Sequence, residues 1–197
     1  MDARRFDKDP MTVEEFLDWH QYQEERYELV QGIPVRMMTG ARQDHNLAIT
    51  NLVVSLDGRA RPRGCRTTSS DTAVRTVADQ VRYPDVVLDC GPMDPTFLAA
   101  SEPKLVVEVA SPSTRDFDLA DKLDEYRRTP GLDYVLMVEP AVIDVTLHAR
   151  TADGWTITKH LFLDAVVEMP GIGVSLPLTE VYEGLSPEPR TPLQPAR

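Results

Sequence analysis

Glu108 is the residue whose surroundings first ask for a chemical explanation. It lies in PKLVVEVASPST, residues 103–114, where Leu105, Val106, Val107, Val109 and Ala110 are five of the seven residues from Lys104 to Ala110. Such a run reads as a strand buried inside a sheet. A lone carboxylate there costs several kcal/mol unless it is paired or bound to a metal. Asp85 opens a second apolar run, YPDVVLDC, and precedes Glu108 by 23 positions. On adjacent strands the two carboxylates would converge, and converging carboxylates raise each other's pKa or hold a hard cation such as magnesium. Plainer arrangements also fit: Asp85 bonding amides at a strand entry, Glu108 on an exposed sheet face or paired with an arginine.

A third group follows in DFDLADKLDEYRR, residues 116–128. Lys122 and Tyr126 are four apart and share a helix face with Leu119 and Leu123. A lysine aimed at the carboxylates could orient or help deprotonate an attacking water and neutralise charge on a phosphorane-like transition state. Spacing alone favours a surface lysine paired with Asp118.

Other chemistries find no support. The chain has no GxGxxG, P-loop or GxSxG pattern, and His20, His45, His148 and His160 have no HExxH or CxxC context, which argues against structural zinc. His148 and His160 read as a structural cross-strand pair in a hairpin. Cys65 and Cys90 form no CxxC unit and read as free thiols of a reducing cytoplasm. A net charge of −11 argues against broad attraction to nucleic acid. It leaves room for a local basic face. RARPRGCR carries Arg59, Arg61, Arg63 and Arg66, either a solvated loop or a phosphate-contacting edge. No apolar stretch is long enough for a membrane span, and MDARRFDKDP lacks the apolar core of a secretory signal.

The elements that must position these groups are legible as periodicities. Thr12 and Glu15 form a capping box for a helix over 12–22. RYELVQGIPVRMM reads as a hairpin around Gly32. DHNLAITNLVVSLDGRA is a helix that Gly58 would end. Strands are expected at 65–69, 72–77, 83–89 and through Glu108, with a loop at 91–103. LADKLDEYRR is an amphipathic helix ended near Pro130-Gly131. DYVLMVEP is a strand, and VIDVTLHAR with GWTITKHLF a hairpin around Asp153-Gly154. A short strand near 172–176 and a helix near 178–184 complete a mixed α/β (α+β) domain over 12–184, preceded by an extension at 1–11. Residues 185–197, with four prolines in SPEPRTPLQPAR, read as a disordered tail.

The ordered set YPD, LVVEVASPST and DLADKLDEYRRTPGLDYVLMVEP, with RYELVQG and the DHN helix upstream, resembles the Uma-two family, domain of unknown function 820. That family belongs to the PD-(D/E)XK restriction-endonuclease-like superfamily. The resemblance covers roughly residues 12–180. It implies a mixed sheet flanked by helices, with Asp85, Glu108 and the main-chain carbonyl of Val109 as magnesium ligands, manganese being a substitute. The usual lysine two residues after the glutamate is Ala110 here, so the resemblance transfers its role to Lys122. It also places Glu28 near the metal and His45 in the same cleft. The implied activity is magnesium-dependent hydrolysis of nucleic acid, DNA first, by a cytoplasmic enzyme. A homodimer would suit cleavage of both strands of a duplex. Two other functions remain open: a nuclease fold without catalysis that binds nucleic acid or protein, and a structural protein with an acidic partner-binding surface.

Overall fold

A computed structural model of the chain describes residues 9–37, 40–111 and 116–190, with the backbone alone described at 116–119. The ASPST turn residues 112–114, the Asp118 side chain and most of the N-terminal extension lie outside these.

Helix α1 (Val13–His20) starts at the Thr12–Glu15 capping box, both halves of which are formed. It buries Phe16 and Leu17 against strand β1 (Tyr27–Val30). The hairpin to β2 (Ile33–Arg36) turns at Gln31-Gly32, both with positive φ, the primed geometry that matches strand twist. Helix α2 (Gln43–Ala60) runs through Gly58 rather than ending there. A 3-10 turn at Arg61–Arg63 follows, and Gly64, at φ +82°, terminates the unit.

The strands sort into three sheets. β1 and β2 join β4 (Val74–Arg75) and β5 (Val81–Arg82) in a small antiparallel sheet ordered β2-β1-β5-β4. The main sheet is β10-β9-β8-β7-β6-β3, built from β3 (Arg66–Ser69), β6 (Val86–Asp89), β7 (Pro103–Val109), β8 (Tyr134–Glu139), β9 (Asp144–Thr151) and β10 (Gly154–His160). Of these strands β7 and β8 pair in parallel, and helix α3 (Asp116–Arg128) makes the crossover that parallel pairing requires. A ribbon of β11 (Val166–Met169) and β12 (Val174–Pro177), then α4 (Leu178–Val181), completes the order. The architecture is mixed α+β, as the sequence pattern indicates.

β7 explains its own composition. Leu105, Val107 and Val109 face the layer of α2, β12 and α4, while Val106 packs with Val87, Val135 and Tyr126 under α3. Both faces are covered, so the strand reads as one apolar run.

Four local expectations are corrected. Cys65 and Cys90 are not free but disulfide-bonded, because the Arg66–Asp89 end pair of β3 and β6 sets them side by side. His148 and His160 do not pair: His148 lies opposite Ile157 and His160 opposite Val145, three residues apart and so on opposite faces. Arg127 instead contacts His148 Nδ1 at 2.8 Å. The run expected as one strand from 83 begins at Val86, and Val81–Arg82 before it belongs to the small sheet. Residues 185–190 are not a free tail. Glu188 bridges Val142, and Arg190 pairs with Asp144; residues 191–197 lie outside the described set. Strand β11 had no sequence counterpart.

The bridge closes a loop of sequence separation 25. Alkylation of the denatured chain should label two cysteines only after reduction. The reduced protein should be less stable by about 3 kcal/mol, measured by urea denaturation with and without reductant.

Candidate active site

Val86 on β6 faces Val107 on β7, and one further step of that antiparallel register sets Asp85 across from Glu108. A separation of 23 positions becomes a cross-strand neighbourhood. Alternation along β7 then points Glu108 toward α3. It is neither on an exposed face nor paired with an arginine. Its side chain is buried, and Tyr126 Oη donates to its Oε1 at 2.6 Å. Burial pushes its pKa up to about 7; Lys122 pulls the other way, while Asp85 adds to the rise. Asp85 sits at the entry to β6 and accepts the Val109 N–H at 2.8 Å, so the strand-entry role holds as well. His45, in the first turn of α2, places Nε2 3.5 Å from Asp85 Oδ2. Its hydrogen bond to Asp85 raises its pKa against the opposing effect of burial.

The helix α3 face supplies the other half. Lys122, Glu125 and Tyr126 stand at i, i+3 and i+4 and are all buried. Lys122 Nζ donates to Glu28 Oε1 at 3.0 Å, a partner on the small sheet. Glu28 reaches this point because β1 alternates: Leu29 packs against α1, and Glu28 takes the opposite face. Val81 and Arg82 on β5 repeat the arrangement. Arg82 donates to Glu28 Oε2 at 2.8 Å and, through Nε and NH2, to both oxygens of Glu125 at 2.7 and 2.5 Å. Burial opposes the ionisation of Glu28, yet Lys122 and Arg82 outweigh it and hold the pKa below the usual carboxylate range. Burial likewise opposes the Arg82 charge, and the hydrogen bonds and charges of its two carboxylates override it. The result is a chain of alternating charge, Glu125, Arg82, Glu28, Lys122, ending beside Glu108.

Sequence reasoning did not single out Arg82 or Glu125. The available signal was Arg82 in QVRYPD, alternating with Val81 just before the Asp85 motif. Glu125 was marked by its spacing of three from Lys122.

These groups line one cleft of about 920 Å³, which also takes in Val109, Ala110 and His45. Its rim carries Arg26, Arg36 and Arg128, each more than a third exposed and each beside an acid: Asp71, Glu25 and Asp124. Arg59, Arg61, Arg63 and Arg66 are elsewhere. Arg59 holds Glu180, Arg61 holds Asp57, Arg66 holds Asp89, and the Arg63 guanidinium lies on Gly173; none lines the cleft.

The donor set suits a small hard cation. Among the described residues no three His, Cys, Asp or Glu side chains group closely enough to hold a metal alone. Magnesium needs only one or two carboxylates, the remaining positions being water and substrate oxygens. Asp85 and Glu108 provide two, set across from each other by the β6–β7 register.

A family model named Uma2, described as "Putative restriction endonuclease", matches residues 13–179. The chain belongs to the Uma2 family. Two proteins of Synechocystis sp. are similar along most of their length. The uncharacterized protein slr1290 is 30% identical over 179 residues, covering 89% of this chain and 93% of its own. The uncharacterized protein sll1609 is 28% identical over 167 residues, covering 80% and 92%. The crystal structure of a putative nuclease belonging to DUF820 from Anabaena variabilis superposes with a TM-score of 0.68 at 17% identity, covering 88% of this chain and 98% of that one. The Uma2 chain therefore shares a fold with that protein, and among its described residues no helix is long and apolar enough to cross a membrane.

Two expectations follow from the buried charges. In chelator-treated buffer the folded state holds the Glu108 proton more tightly than the unfolded chain does. Stability should therefore fall as pH rises from about 4.5 to about 7, by roughly 3 kcal/mol. Glu108→Gln should remove this slope, leaving the variant more stable than wild type at pH 8 in denaturant titrations. Arg82→Met should cost about 3–5 kcal/mol, because it leaves Glu28 and Glu125 buried without their shared cation. A loss under 1 kcal/mol would show the fork to be energetically idle.

Proposed function

We propose that this Uma2 protein is a magnesium-dependent endonuclease that hydrolyses phosphodiester bonds of nucleic acid, with DNA the first substrate class to test. Membership of a restriction-endonuclease family supports the nuclease reading. The observation that carries it to this cleft is the convergence of Asp85 and Glu108 across β6 and β7, beneath Lys122 of α3.

Asp85, Glu108 and the main-chain carbonyl of Val109 would hold the ion, with manganese as a substitute. When bound, magnesium polarises a phosphoryl oxygen and makes a coordinated water acidic. The protein groups do the rest. Tyr126 fixes one oxygen of Glu108, so the other has a defined direction. Ligation requires Glu108 to lose its proton, which a rising pH favours. Glu28 and Arg82 hold Lys122 in one place, at the end of a rigid ionic chain. From there its ammonium orients the attacking water and offsets the charge that grows on the phosphoryl oxygens. His45 steadies Asp85 from the α2 side. The rim arginines Arg26, Arg36 and Arg128 are placed to take the neighbouring phosphates, each exchanging a carboxylate for a phosphate partner. Such contacts suit a chain whose net charge is −11, because the attraction stays local to the cleft.

Calorimetric titration of manganese should give one site in wild type, no site in Glu108→Gln, and an undiminished site in Lys122→Ala. Incubation with circular duplex, single-stranded DNA and RNA should show metal-dependent cleavage that Lys122→Ala reduces by roughly 10²–10⁴-fold. Cleavage by Lys122→Ala at the wild-type rate would remove the lysine from the reaction. Metal binding without cleavage of any of the three polymers would favour a nuclease fold used for binding.

A further inference from the structure

The cleft and the ion pairs account for most of the unusual surface of this chain, but not for the outer edge of the main sheet. Strand β10 is paired on one side only. Seven consecutive residues, Gly154 to His160, pair with β9 without a bulge, and no strand covers the other side among the described residues. Protein edges are normally blunted by short length, proline, bulges or several charges. GWTITKH has none of these beyond Lys159, and Thr156, Ile157 and Thr158 are β-branched strand formers. Ile157, in the middle of the strand, is 58% exposed, and Phe162 at 74%, Leu163 at 42% and Val166 at 40% follow along the chain.

We propose that β10 pairs antiparallel with β10 of a second copy of this chain, about a two-fold axis at Ile157, joining the two main sheets edge to edge. An isologous contact must be complementary to itself, and this register is. Thr156 of each copy meets Thr158 of the other, a favourable cross-strand pair. Trp155 meets Lys159, whose stem lies along the ring. Asp153, the turn residue that precedes β10, lies on the diagonal side of that same lysine and is opposite to it in sign; Arg150 is stacked on the same Trp155 ring at 4.6 Å. Centring the pairing on Lys159 would instead set ammonium against ammonium. The chain's own C-terminal residues fit the edge less well. Arg190 is held at Asp144, near the end of β10, but the following TPLQPAR has prolines at 192 and 195. Three apart in an extended strand, one of them always turns its missing N–H toward the edge. None of residues 153–166 lines the cleft, so this interface stands or falls independently of the nuclease reading.

Sedimentation velocity of the full chain at micromolar concentration should give twice the 22.1 kDa monomer mass. Ile157→Lys places two ammonium groups on the axis and should yield a monomer with an unchanged melting temperature. Val54→Lys, on the exposed face of α2, should remain dimeric. Lys159→Glu should weaken dimerisation about tenfold, and the added exchange Asp153→Lys should restore it. That rescue also covers the case in which Ile157→Lys fails to fold. A monomeric wild type overturns the proposal. So does a dimer indifferent to both Ile157→Lys and Lys159→Glu, which would place its interface on another surface.

Discussion

The buried guanidinium of Arg82 is the constraint from which the site is built. It comes from the small sheet, bonds Glu28 on the neighbouring strand of that sheet, and grips Glu125 on α3 with two nitrogens. Three elements that are distant in sequence are thereby held at hydrogen-bond distance. Removing three charges from water is costly, and only near-ideal geometry offsets the cost. The small sheet and α3 have little freedom to shift without breaking that geometry. The cleft between them is consequently a fixed space.

Charge in this space is graded. At the Arg82 end each carboxylate bonds the guanidinium, and Glu28 is held in its ionised form. Toward Glu108 the compensation thins: the carboxylate has a phenol hydroxyl on one oxygen, an ammonium already shared with Glu28, and a second carboxylate across the strand pair. Burial wins at Glu108 and raises its pKa, whereas at Glu28 the two cations outweigh it. Burial favours the protonated form of the Glu108 carboxylate. A stable ionic scaffold and an unsatisfied carboxylate are thus two ends of one network.

The outer surface is organised on a different principle. The arginines of the 59–66 stretch are absorbed in ties between α2, α4 and the β3–β6 end of the sheet. At the cleft rim, Arg26, Arg36 and Arg128 stay in contact with solvent beside the acidic floor. The partnering of each rim arginine with a nearby acid keeps its positive charge local.

Much of this was readable without a structure, for identifiable reasons. Helix and strand periods, the Thr12–Glu15 box and the Asp153-Gly154 turn are local properties, so the order of elements followed from sequence. The carboxylate inside LVVEVA was conspicuous because its neighbours demand burial. What the sequence could not supply was long-range pairing. Lys122 meets Glu28, 94 positions away, because tertiary packing brings a side chain of α3 to one of β1. Cys65 met Cys90 because β3 and β6 share an end pair, and the histidines of the last hairpin parted because their register is odd. Arg82 and Glu125 were not singled out, since their spacing alone does not say that a charge is buried. The sequence by itself determined which elements form and which residue types carry the chemistry, because those depend on neighbours along the chain. Only the tertiary structure decided which charges are desolvated and whom they face, because burial and register are set by segments packing from afar.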